Sequence, residues 1–473
     1  MTDLARHFSE AARREGDRIA LITPHERVSF AEIDRRAAAF AATGAARGIC
    51  KGDRVLVAMP VGIDLYVALA ACWRLGAVAV FPEPAMGLTG LRHAVAVTRP
   101  AFVFASGIYR LVRFLPALWR CPRLAPHAAD RGAVDPVALT PDDCALISFT
   151  SGSTGAPKAI PRSHGFLMAQ HAAVRSLLAS DRPETDLVAF PVFALVNLAD
   201  GRCSALPDWR ISRPETVTQK QLSAWITRSG ATRALLPPGL CATLAEGAIP
   251  DTLHSLFTGG GPVKPQLVQG LRARKAGLRV VSVYGSTEAE PIADLDWDAV
   301  TPQDHAAMEG GAGLLAGLPV PGTEIRIDDD EIWVAGAHVN AHYLDPAMEA
   351  GIKRSDGLRV WHRTGDAGRI DGQGRLWLLG RHAAVTTGSA GPLYPFSVEL
   401  AAESWPGVRR AALLGREGRP ILVIEGDAAP GDCEERARQM GIAAIRKVAA
   451  IPLDRRHRSK IDHVALARLV GGK

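Results

Sequence analysis

A chain of 473 residues is long enough for two or more domains, and its 47% hydrophobic and 22% charged content exclude a disordered or collagen-like protein. Its 55 basic and 49 acidic residues leave a net charge of +6, too mild over this length to imply a nucleic-acid partner. Seven scattered cysteines with no CxxC pair point to a reducing compartment rather than to a disulfide frame or a zinc site.

In chain order, the opening MTDLARHFSEAARREGDR is polar and helical in pattern, without the apolar centre of a signal peptide. The most hydrophobic region, Val55 to Phe81, is interrupted by Pro60, Gly62, Asp64 and Arg74, so it reads as strand, helix and strand and not as a membrane span. That RVLVAMP–GIDLYVALAACWRLG–AVAVF order predicts a βαβ unit with parallel strands. The theme recurs in CALISF before a helix near Ser163–Leu178, in DLVAFPV, in a helical KQLSAWITRSG, and in ATRALLP and LRVVSVYG. Past about residue 318 the pattern changes to short strands, TEIRI and EIWVAG, and a hairpin in RIDGQGRLWLLGR. The expected fold is α/β: a large multi-sheet N-terminal domain (1–381) with parallel βαβ layers, and a small α+β lid (382–473). The expected location is the cytoplasm.

FTSGSTGAPK (149–158) follows the apolar CALIS and looks built to hold an anion. Glycines let backbone N–H groups approach an oxyanion, the hydroxyls of Thr150, Ser151, Ser153 and Thr154 donate, and Lys158 adds charge. A Walker loop fails because Gly155 is followed by Ala156 and Pro157 before the lysine. A dinucleotide GxGxxG fails because Gly152 and Gly155 lack the first glycine, and GxSxG is absent. By composition alone a Ser/Gly-rich surface turn would read the same way.

Three further segments follow in order: VYGSTEAEP (283–291), HRTGDAGRIDGQGRLWLLGR (362–381) and DRRHRSKID (454–462). With them the chain resembles the adenylate-forming superfamily of acyl-CoA synthetases, peptide-synthetase adenylation domains and luciferases, over nearly its whole length. The resemblance implies attack of a substrate carboxylate on the α-phosphorus of ATP, giving acyl-AMP and pyrophosphate. Such a displacement needs charge neutralisation and in-line positioning more than an acid or base.

By this resemblance, Thr150, Ser151, Gly152, Ser153, Thr154, Gly155 and Lys158 hold the outer phosphates of ATP, and Glu288, beside Thr287, holds Mg²⁺. Asp366 would accept hydrogen bonds from the ribose hydroxyls, with Arg381 nearby. Gly259, Gly260, Gly261, Tyr284, Gly285 and Ser286 would border the adenine and the acyl carbon. Lys460 is the expected catalytic lysine, delivered by the lid to the developing negative charge. For several of these a blander role has the same letters: a turn aspartate in TGD, or a solvated basic run in RRHRSK.

Members that activate amino acids usually carry an aspartate in the substrate segment, whereas here FPVFALVN has Phe193 followed by Ala194. An apolar acyl group held by Phe193, Ala194, Leu195, Val196 and Asn197 is expected instead. At the hinge Ala383 and Thr386 stand where the family's Asp or Lys residues serve thiol transfer. FPVFALVN, YGSTEAEPI, GPLYP and DRRHRSKI, with His457 in its RH element, are similar to the olefin-pathway β-lactone synthetases, which close a β-hydroxyacyl-AMP on its own hydroxyl. The alternatives are an acyl-CoA or carrier-protein ligase, with coenzyme A or a carrier protein as acceptor, and an inactive nucleotide-binding relative. The last is opposed by the presence of Lys158, Glu288, Asp366, Arg381 and Lys460 together.

Overall fold

The computed structural model describes residues 3–82, 86–126, 132–150, 157–416, 419–442, 444–454 and 459–471. Two sheets form the large N-terminal part. One has six strands, in the order Arg123–Leu124, Phe102–Ala105, Arg54–Ala58, Val78–Val80, Cys144–Phe149, Ala159–Ser163. All its pairings are parallel except the last. The expected βαβ unit lies at its centre, where Val55 is in register with Ala79.

Its crossover helix, Ile63–Arg74, is buried at every residue but Asp64. A helix apolar on all faces belongs in a core, and this one contributes Tyr66, Leu69 and Trp73 to the largest apolar cluster. Its buried polar groups are satisfied: the Tyr66 hydroxyl donates to Pro191 O at 3.1 Å, Trp73 Nε1 donates to Ala145 O at 2.9 Å, and Arg74 pairs with Asp34 and donates to Ser9 Oγ at 2.9 Å. Among the described residues no helix is long and apolar enough to cross a membrane.

The second sheet has 14 strands. Its parallel half runs through Cys203–Ala205, Thr185–Val188, Arg233–Leu236, Ser255–Gly259 and Arg279–Ser286. At Ala289–Asp296 the pairing becomes antiparallel and stays so through Leu314–Pro319, Leu376–Arg381, Val360–Ile370, Glu331–Ala335 and Glu324–Asp328. This antiparallel half begins at Ala289, ahead of the change in character expected past about residue 318. The hairpin read from IDGQGR is present, with Asp371 N–H donating to Arg375 O at 3.0 Å and Gly374 in positive φ (77°).

One expected strand is shorter than its letters suggest. DLVAFPV ends as a strand at Val188, and Pro191 opens a helix, Pro191–Asp200. Proline fits the first helical turn, where its missing N–H costs nothing, so the apolar run changes element there. At the start of this helix's strand, Arg233 and Asp186 form a two-pronged ion pair at 2.7 and 2.9 Å, with both side chains buried.

The small C-terminal unit has the sheet Val408–Arg416, Arg419–Gly426, Ala444–Val448, with helices Pro395–Glu403, Pro430–Gln439 and His463–Gly471. Helix Pro395–Glu403 rests on the large part: Lys264 Nζ meets Glu403 Oε1 at 2.6 Å, and Pro395 packs over Gly380.

Candidate active site

FTSGSTGAPK links two antiparallel strands, Cys144–Phe149 and Ala159–Ser163. Its neck is closed by Thr150 N–H donating to Lys158 O at 3.0 Å and Lys158 N–H donating to Thr150 Oγ1 at 3.1 Å. Ser151, Gly152, Ser153, Thr154 and Gly155 lie outside the described residues, as does His457.

Lys158 Nζ lies 4.9 Å from the centre of the Tyr343 ring, a cation–π contact, and the Tyr343 hydroxyl donates to Glu288 Oε1 at 3.0 Å. Glu288 stands in the tight turn between Arg279–Ser286 and Ala289–Asp296, and its carbonyl accepts from Asn340 N–H at 2.6 Å. Burial first, and then the Glu288 charge, push the Tyr343 hydroxyl well above the usual phenol range. Tyr343 therefore stays a proton donor to that carboxylate.

A second cation, Lys353, lies 5.2 Å from the same ring and donates to Asn340 O. Burial pushes its ammonium down to about 8, opposed by the charge of Glu288. Its cross-strand neighbour His362 is 4% exposed, held well below the usual imidazole range by burial and then by Lys353 and Lys158.

Asp366 sits opposite Arg381 in the Val360–Ile370 and Leu376–Arg381 pairing. It accepts from the Tyr284 hydroxyl at 2.8 Å and pairs with Arg381 Nη1 at 3.4 Å. Burial raises its carboxyl above the ordinary range, opposed by Arg381, Tyr284 and Lys460. Lys460 is thus close enough for its charge to be felt there.

The glycine segment explains how the small unit reaches the site. A Cβ at Gly261 would stand 2.1 Å from Ser459 Oγ and 3.8 Å from Lys460 Cγ, so a side chain there would have to displace the Ser459 hydroxyl. Asp454 shapes the loop by accepting from Ser459 N–H at 3.2 Å and Lys460 N–H at 3.0 Å. At Gly259 a Cβ would lie 2.4 Å from Val283 O, a close strand approach.

A narrow apolar pocket opens beside these glycines, lined by Phe193, Phe190, Phe257 and Val283, with Gly259, Gly260, Gly285 and Glu290 at its rim and wall. Of the expected acyl-pocket residues, Phe193 lines it, whereas Ala194 and Val196 are buried in the core and Leu195 packs against that core. Asn197 does not face the pocket. It is fully buried, and its Nδ2 donates to Asp186 Oδ2 and Ser204 Oγ, both at 2.9 Å. Consecutive helical residues are turned about 100° from one another, so a run of five neighbours could not line one wall.

Tyr343, Lys353 and Arg162 lie outside the quoted motifs, and His362 opens HRTGD without having been given a role. Arg162, 5% exposed, donates to Thr287 O at 2.6 Å and to Gln170 Oε1 at 3.3 Å, and Gln170 Nε2 donates to Glu290 O at 3.1 Å. These two side chains tie the 287–290 backbone to the other sheet. A charged residue inside an otherwise apolar strand, AIPRS, was the available signal for Arg162.

Residues 8–344 match the family of AMP-binding enzymes. The chain belongs to this family. As an AMP-binding enzyme it is an AMP-forming ligase, with the mixed α/β architecture of the adenylate-forming enzymes. It is 31% identical to an olefin beta-lactone synthetase of Xanthomonas campestris pv. campestris, over 99% of this chain and 97% of that protein. It is 25% identical to a 2-succinylbenzoate–CoA ligase of Bacillus subtilis, over 94% of each. Its fold matches that of the O-succinylbenzoate coenzyme A synthetase of Bacillus subtilis solved with ATP and magnesium ion, with a TM-score of 0.78 at 22% identity and coverage of 97% of this chain and 98% of the other.

Proposed function

We propose that this AMP-binding enzyme activates a β-hydroxy acid with an apolar chain as acyl-AMP, and then closes it to a β-lactone with release of AMP. The reading rests on the near-full-length likeness to an olefin beta-lactone synthetase. Residues 1–381 form the domain that binds ATP and acid, and residues 382–473 act as a mobile lid carrying Lys460. The enzyme works in the cytoplasm.

In this reading Lys158 neutralises the outer phosphates, and the Asp366–Tyr284–Arg381 cluster binds the ribose. A hard divalent cation such as Mg²⁺ fits the carboxylate of Glu288 and would supply further neutralisation of the triphosphate when bound. Lys460, seated on Gly261, meets the charge that develops between the α-phosphate and the attacking carboxylate. The lactone step needs no external acceptor: a hydroxyl held against the activated carbonyl reacts within one molecule, an advantage of up to about 7–11 kcal/mol when orientation is ideal. Ala383 and Thr386 replace the hinge residues that thiol transfer uses in relatives of the CoA-ligase kind.

The test is ATP, Mg²⁺ and paired 3-hydroxy and unsubstituted acids, with and without coenzyme A. The expected products from the hydroxy acid are pyrophosphate, AMP and a β-lactone, at a rate indifferent to coenzyme A. A thioester product would overturn the lactone reading in favour of a coenzyme A ligase.

A further inference from the structure

The net charge of +6 is gathered in one part of the chain. Residues 87–124 carry six arginines, Arg92, Arg99, Arg110, Arg113, Arg120 and Arg123, and no aspartate or glutamate, so the rest of the chain is balanced. Among the described residues none of the six is paired with a carboxylate. Within this stretch Gly107–Phe114 is a 3₁₀ helix of 8 residues, and Pro116–Leu118 adds a second short turn of the same kind. With three residues per turn, side chains three apart eclipse one another, so the helix presents three distinct rows. Tyr109 and Val112 face the apolar cluster on the six-stranded sheet, and Leu115 and Leu118 continue that row into it. Arg110 and Arg113 form an exposed cationic row. Ile108, Leu111 and Phe114 form the third row, and all three are exposed, Ile108 to 75%. Trp119, 66% exposed, follows directly after the second turn. Phe114 and Trp119 are the only exposed aromatic side chains among the described residues.

A row of exposed apolar side chains beside a row of cations suits a segment lying in a membrane interface, apolar groups in the acyl boundary and charges at the headgroups. Tryptophan favours that boundary, where its ring is half in hydrocarbon and half in water. Cation and anchor are adjacent here: the Arg113 guanidinium lies 4.7 Å from the centre of the Phe114 ring. A protein partner is a poorer fit, because protein interfaces surround their apolar centre with a hydrogen-bonding rim. Residues 107–120 contain no Ser, Thr, Asn, Gln, Asp or Glu to make such a rim, whereas lipid phosphates ask only for cations. We propose that residues 107–120 seat the enzyme on an anionic lipid bilayer. Ile108, Leu111, Phe114 and Trp119 enter the apolar boundary, and Arg110, Arg113 and Arg120 meet the phosphates. The contact is peripheral, since among the described residues no helix is long and apolar enough to cross a membrane. It does not depend on which acid the enzyme activates.

Flotation of the full chain with vesicles tests this, using phosphatidylcholine alone and phosphatidylcholine with about one-third phosphatidylglycerol. The bound-to-free ratio is expected to be at least about tenfold higher on the anionic vesicles, and to fall about tenfold between roughly 0.05 and 0.5 M salt. The double variant Phe114→Ser, Trp119→Ser should lose about tenfold in that ratio by removing the anchors. The double variant Arg110→Glu, Arg113→Glu should bind anionic vesicles no better than phosphatidylcholine. Both pairs are exposed and lie away from the nucleotide site, so lipid-free pyrophosphate release is expected to stay within about twofold of the parent, which also reports that each variant is folded. If the serine variant fails to fold, the arginine variant and the salt series still decide. A parent that binds neither vesicle, or both equally, overturns the proposal, as does a folded variant that binds like the parent. Sedimentation in solution separates the remaining occupant: a parent dimer that the serine variant breaks, with no vesicle binding, assigns this face to a second copy of the chain and overturns the lipid contact.

Discussion

Lys460→Ala is expected to lower pyrophosphate release from ATP and acid by about 10²–10³-fold while changing ATP affinity by only a few-fold. The Lys460 loop is held by Asp454, sits on Gly261 through Ser459, and brings a cation whose charge is felt at the half-buried Asp366. Lys158, Arg381 and the backbone of the large domain do not depend on this loop, so the ground-state grip on ATP should survive its loss. What disappears is a cation aimed at the charge that develops as the carboxylate attacks, an interaction stronger in the transition state than before it. Pyrophosphate release with the acid saturating, set beside an ATP titration, separates the two. Parent-like release would remove the assignment, and a loss of ATP affinity in proportion to the rate would make Lys460 a binding residue instead.

What could be read ahead of the structure divides by distance along the chain. Thr150 to Lys158, Glu288 and Asp366 lie in short contiguous segments, so a resemblance of motifs could single them out. The IDGQGR hairpin and the parallel strands around helix Ile63–Arg74 are local too, and there alternation and length decide the element. Tyr343, Lys353 and His362 were not legible, because their meeting depends on register: Lys353 pairs with His362 across a strand pair, and Tyr343 reaches Glu288 from a segment 55 residues away. Asn197 shows the opposite error. Its position beside Phe193 suggested the pocket, but a helix turns consecutive residues through about 100° each, and the structure sends it into the buried network of Asp186, Ser204 and Arg202.

Glu399→Gln should make the protein less sensitive to alkaline pH, and the effect should be large because Glu399 is only 2% exposed. Its Oε1 accepts from Leu413 N–H at 3.2 Å, and it lies one helical turn from Glu403, which is paired with Lys264 of the large domain. Burial pushes the Glu399 carboxyl up to about 8, opposed by the Lys264 charge and the Leu413 N–H and reinforced by Glu403. Near neutrality the folded protein therefore keeps a proton that the unfolded chain, with an ordinary glutamate near 4.5, has released. Since the folded state binds more protons, stability falls as pH rises from the unfolded value, and the loss is complete once pH passes the folded one. At about 1.4 kcal/mol for each unit, the whole window is worth up to about 5 kcal/mol. Glutamine keeps the acceptor for Leu413 N–H and has no proton to lose, so whatever its amide costs is the same at every pH. Thermal unfolding of parent and variant between pH 6 and 9 should show the parent's Tm dropping by several degrees more than the variant's. Parallel curves would mean that Glu399 is ionised in the folded protein already at pH 6, and that Lys264 compensates two carboxylates across the junction rather than one.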